Sequence, residues 1–115
     1  ARSVKKDDVV VVCELPSYAV EVTEAIEIAH KNGAKVITIT DSLAAPVCRC
    51  AELSFFVSAN SPTFGSSTIG PLFLIHVLTS LLAISLGDEA KNAFDEQANF
   101  LHDERIFHPI FGLKY

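Results

Sequence analysis

Two apolar runs of strand length, DDVVVVC (Asp7 to Cys13) and GAKVITITD (Gly33 to Asp41), flank one amphipathic stretch, and that order constrains the fold more than any other feature of the chain. In the second run, Val36, Ile37, Thr38, Ile39 and Thr40 follow a glycine and end in Thr-Asp, the pattern of a buried parallel strand opening into a loop. Between the runs, Ser17 is placed to cap a helix predicted from Tyr18 to Asn32. Val22, Ala25, Ile26 and Ala29 recur there at helical spacing, while Glu21, Glu24 and Glu27 face water. Gly33 ends the helix. Residues 7 to 41 therefore predict a βαβ crossover. Open α/β sheets bind ligands beyond the carboxyl ends of their strands, which points to the loops after Cys13, Thr40 and Ser58.

Further along, Pro46 opens a short helix predicted to reach Glu52, and LSFFVS (Leu53 to Ser58) reads as a third strand. The loop ANSPTFGSST gathers small polar residues. The following segment, PLFLIHVLTSLLAISL (Pro71 to Leu86), is interrupted by His76, Thr79, Ser80 and Ser85 and falls short of the roughly 20 apolar residues of a bilayer span. It is expected as a buried helix rather than a membrane anchor. After Gly87, an Asp88-capped amphipathic helix carries Ala90, Ala93, Phe94, Gln97 and Leu101 on one side. Strands laid down by successive crossovers leave Val9 to Val12 at the sheet edge, yet four valines apolar on both faces suit an interior strand. Flanking strands are therefore expected to precede residue 1 or to come from a partner.

The 115 residues have room for one domain and one core. A net charge of −5 leaves no basic surface for phosphate backbones, so no nucleic-acid contact is expected from this chain itself. Three cysteines, an odd number, and no secretory signal point to a reducing, cytoplasmic setting. The absence of methionine and the opening ARSVKKDD read as a fragment or processed chain.

Taken together, the valine-rich strand, Glu21-Val22 near the start of the next helix, NGAKVITITDSLAAPVCRCAELSFFVS and SPTFGSSTIGPLFLIHVLTSLLA resemble the later part of a sugar isomerase (SIS) domain. The kind most resembled is that of RpiR-type transcriptional regulators. The resemblance spans residues 7–105 and leaves 106–115 as an apolar tail. It implies an α/β fold, a doubly wound three-layer α/β/α sandwich with a parallel sheet, whose N-terminal strand or strands are missing here. It also implies a sugar phosphate or other carbohydrate-derived effector at the strand ends, and dimers or tetramers packed through helices. In full-length regulators of this kind a separate helix-turn-helix domain contacts DNA.

The family cradles phosphate in an SxSGxT turn after the strand corresponding to Val9 to Cys13, where this chain reads Glu14, Leu15, Pro16, Ser17, Tyr18, Ala19. Proline removes an amide donor, alanine replaces a hydroxyl, and glutamate opposes a dianion. A like charge at ~4 Å costs roughly 4 kcal/mol at an effective dielectric of 20. This leaves an uncharged or amine-bearing sugar derivative, or a vestigial pocket, as alternatives. The candidate ligand-binding residues are Glu14, Ser17, Tyr18, Thr40, Ser61, Ser66, Ser67 and Thr68. No catalytic residue, cofactor or metal is expected.

Each of these residues has a plainer reading. Ser66, Ser67 and Thr68 either meet a ligand at a helix N-terminus or simply cap that helix. Glu14 is either a general base lacking a partner acid or a solvated turn residue. His76 is either catalytic or packed in a helix interface. Cys48 and Cys50 lack the further ligands of a zinc site. His102, Asp103, Glu104 and His108 either attract a divalent ion or form a solvated helix end, and Ile106, Phe107, Ile110, Phe111 and Leu113 suit packing on a subunit or the sheet. The leading expectation is a non-catalytic effector sensor. Its rivals are an aldose-ketose isomerase and a pure oligomerisation segment.

Overall fold

The computed structural model describes residues 3–103, with side chains to residue 100, so the apolar tail and the His102 to His108 cluster lie outside the described side chains. The elements run β1 (Val9–Glu14), α1 (Val20–Lys31), β2 (Lys35–Thr40), a 3₁₀ helix (Pro46–Cys50), β3 (Leu53–Phe56), α2 (Ile69–Leu86) and α3 (Asp88–Asp103). The three strands are parallel in the order β1-β2-β3. This is the expected parallel α/β class. The described residues fall into two compact units divided between Leu74 and Ile75.

Register fixes what each face of the sheet presents. Val10, Val12 and Glu14 pair with Val36, Thr38 and Thr40, and alternation turns all six toward one side. On that side Val12, Val36, Ile26 of α1, and Ala45 and Val47 beside the 3₁₀ helix form a buried cluster, with Val10, Tyr18 and Val22 packed against it. The hydroxyls of Thr38 and Ser54 that lie within the sheet satisfy each other at 2.8 Å. The opposite side is less covered. Ile39 is fully buried there, but Val9 and Val11 are 57% and 55% exposed. β1 thus lies at the sheet edge with a bare apolar face, as the crossover order predicts.

Gly33 joins α1 to β2 at φ +90°, where a Cβ would come 3.0 Å from the Lys6 side chain. Its carbonyl accepts the Asp7 amide at 3.1 Å, and the Lys35 amide donates to the Asp8 carbonyl at 2.8 Å, which sets the start of the β1-β2 ladder.

Several local expectations need correction. α1 begins at Val20 behind Ala19, and Ser17 makes no cap bond to it. Pro46 starts a single 3₁₀ turn ending at Cys50, and β3 stops at Phe56, because the chain turns away toward the loop after Ser58. Cys13 is exposed on the uncovered side of β1.

The apolar helix departs furthest. Along α2 only Pro71 is buried, and Phe73, Leu82 and Ile84 stand largely exposed in the single chain, as does His76. The apolar pattern identifies the helix correctly but not its burial, since its apolar residues surround the whole helix rather than forming one stripe. By length and composition alone α2, with a mean hydropathy of 2.1, is sufficient to cross a membrane. In the second unit, Gly87 ends α2 and its carbonyl accepts the Lys91 amide at 3.1 Å, while Ala90 and Ala98 are the buried residues of α3.

Truncating Ile39 to alanine is expected to cost about 2–5 kcal/mol in urea denaturation, as for a fully enclosed isoleucine. Leu43→Ala, in an exposed loop, should stay within about 0.5 kcal/mol.

Candidate functional site

The β1-β2 register places Glu14 opposite Thr40 at the carboxyl ends of the two strands, and the residues just beyond each of them close on one another. Glu14 is not the solvated turn residue expected of it. It is the last residue of β1, only 6% exposed, and its Oε1 accepts the Ala19 amide at 2.6 Å, immediately ahead of α1. An enclosed carboxylate requires such a partner, and the positive end of the α1 dipole adds to it. Glu14, rather than Ser17, therefore satisfies the start of α1.

Leu15 to Tyr18 form a turn closed by the Tyr18 amide on the Leu15 carbonyl at 3.1 Å. Tyr18 sits at φ 35°, a conformation costing a residue with a Cβ about 1–3 kcal/mol unless its surroundings hold it. They do: the Tyr18 hydroxyl donates to Asp41 Oδ1 at 2.5 Å, and the Thr40 hydroxyl donates to the same oxygen at 3.3 Å. The bond to Asp41 is the main cause that pushes the Tyr18 phenol up to about 12, with desolvation and the charges of Asp41, Cys48 and Glu14 adding to it. The Cys13 thiol is also raised, by burial first and then by the Glu14 charge, which disfavours a reactive thiolate.

A cleft of about 410 Å³ opens beside these strand ends, lined by Pro16, Asp41, Ser66 and the segment from Phe56 to Asn60. The Ser66 hydroxyl donates to the Pro16 carbonyl at 3.0 Å and so joins the loop after β3 to the turn after β1. A second hollow of about 620 Å³, bordered by Phe55, Ile69, Phe73 and Leu74, is mostly apolar and suits a polyhydroxylated ligand poorly. The polar cleft is the candidate site.

The expected site residues divide accordingly. Ser66 lines the cleft, Tyr18 and Thr40 bond Asp41 at its wall, and Glu14 bonds the Ala19 amide ahead of α1. Ser17 lies exposed in the turn. Ser61 bonds within its own loop, to Thr63 at 3.0 Å. Ser67 receives the Ile69 amide at 3.4 Å and borders the apolar hollow, and the Thr68 carbonyl receives the Leu72 amide at 3.0 Å, so these two begin α2 rather than face the cleft. Asp41, Ser58 and Asn60 were not among the candidates. Asp41 was signalled by its place directly after the strand-ending threonine. No group of three metal-ligating side chains occurs among the described residues.

Residues 1–94 match the family profile of the SIS domain. Among solved structures, the chain is similar to the sugar isomerase domain of an RpiR transcription factor from Sphaerobacter thermophilus. The TM-score is 0.73 at 18% identity, over 83% of this chain and 53% of that one. The likeness is one of fold, and the chain spans about half the length of that structure. No curated protein matches it in sequence.

The raised Tyr18 value carries a pH signature. The hydrogen-bonded phenol contributes stability that is fully present below pH 10, the ordinary value, and is lost as the pH climbs through about 12. Denaturation midpoints of the wild type and Tyr18→Phe should therefore differ at pH 9 and converge toward pH 12. Glu14→Ala, which leaves the Ala19 amide without its acceptor, should lower stability by about 1–3 kcal/mol at pH 7.

Proposed function

The chain belongs to the SIS domain family, and from this we propose that it is a non-catalytic effector-sensing domain of an RpiR-like transcriptional regulator. It binds a sugar phosphate or related carbohydrate derivative in the cleft at the strand ends. The observation that carries this reading is the cleft itself, placed where parallel α/β sheets receive ligands and lined by Asp41, Ser58, Asn60 and Ser66. Hydroxyl, amide and carboxylate groups on fixed strand ends are the donors and acceptors that sugar hydroxyls require.

The reading as a sensor rather than an enzyme is supported by the state of Asp41. Two hydroxyls already bond one of its oxygens, an arrangement that positions a carboxylate, and among the described residues no histidine or lysine lines the cleft to act as its complementary acid. The fold likeness to an RpiR transcription factor agrees with this choice.

Oligomerisation is part of the proposal. α2 lies within the matched span and exposes Phe73, Leu82 and Ile84, more apolar surface than a helix in water carries without a covering partner. A second copy of the chain supplies that cover. DNA contact resides outside this acidic chain, and the setting is cytoplasmic, without a membrane.

Thermal unfolding against a panel of sugars, amino sugars and sugar phosphates tests the ligand half. A ligand at 100 times its Kd stabilises by about 2.7 kcal/mol and should raise Tm visibly. Isomerisation of glucose 6-phosphate in a coupled assay would replace the sensor with an enzyme. Light scattering should give a dimer or tetramer, and Ile84→Glu should shift it toward the monomer.

A further inference from the structure

We propose that the cleft selects an unphosphorylated sugar bearing a protonated amine, with Asp41 receiving the ammonium. This rests on the reading of the cleft as a carbohydrate site and specifies its ligand. Among the described residues, Asp41 is the one charged residue lining the cleft, and no lysine, arginine or histidine lines it. Its Oδ1 is occupied by Tyr18 and Thr40, whereas its Oδ2 accepts no hydrogen bond among the described residues. A carboxylate held by one oxygen, on a residue that lines a cavity, is arranged to take a cationic donor.

The position where an anion would otherwise bind is already filled. The N-terminus of α1 is the natural receptor for a phosphate, and the buried Glu14 carboxylate bonds the Ala19 amide there. A phosphorylated sugar would meet the Asp41 carboxylate with no neutralising cation among the described residues that line the cleft. An ammonium gains from it. The remaining polar groups suit neutral hydroxyls: Asn60 offers a donor and an acceptor, and Ser66, whose proton goes to the Pro16 carbonyl, keeps acceptor capacity. Phe56, half exposed at the rim, provides an apolar surface for the ring carbons.

Titration calorimetry of the full chain at pH 7 with glucosamine, glucose, glucose 6-phosphate and inorganic phosphate tests the proposal. Glucosamine is expected to bind at least tenfold more tightly than glucose, glucose 6-phosphate more weakly than glucose, and inorganic phosphate not at all. Asp41→Asn, checked for folding by circular dichroism, should bring glucosamine and glucose to equal affinity. Raising the pH until the amine is neutral should do the same to the unaltered protein. Tighter binding of glucose 6-phosphate than of glucose overturns this proposal and leaves the carbohydrate site standing, as does an amine preference unchanged in Asp41→Asn. Binding of none of the sugars overturns both.

Discussion

In-register parallel pairing of Val9–Glu14 with Lys35–Thr40 is the constraint on which the rest depends. Because the two strands end level, Glu14 and Thr40 emerge side by side, and the turn after β1 and Asp41 after β2 are brought together at one edge of the cleft. A slip of one residue would move Val10 and Val12 off the face covered by α1 and carry Glu14 to the uncovered side. The apolar cluster of Val12, Val36, Ile26 and Val47 and the polar group of Glu14, Tyr18, Thr40 and Asp41 are therefore specified by one register.

The electrostatics of the site derive from its inventory of charges. A chain of net charge −5 places two of its carboxylates at the strand ends, one enclosed against a helix start and one at the cavity wall. Each is held by donors from the backbone or from hydroxyls, not by a cation. Such partners satisfy hydrogen bonding without an ion pair, and in the proposed reading the carboxylate at the cavity wall sorts the solutes that enter.

Much of this was legible in the residues, and the rest was hidden for identifiable reasons. Alternation and glycine stops placed β1, β2 and α1 because a covered parallel sheet demands apolar runs of that length. The same logic located the edge position of β1 from crossover handedness alone. The cap of α1 was misassigned because serine is the usual capping residue, whereas a glutamate five residues before the amide reached it through a turn that sequence spacing does not reveal. The burial of α2 could not be read, since a helix apolar all round looks the same whether its own chain or another one covers it. Ser66 was distinguished from Ser67 and Thr68 only by the path of the loop. Three adjacent hydroxyls offer no pattern by which one would be chosen to face the cleft.

The bonds that join the loops have a thermodynamic consequence. Tyr18 meets Asp41 across 23 residues and Ser66 meets Pro16 across 50, so distant segments are already fastened together in the empty protein. The entropy of immobilising them is lost during folding, and an incoming molecule need not supply it again. In the proposed reading, a small solute with few groups to offer is then recognised by a cleft whose walls are already in place.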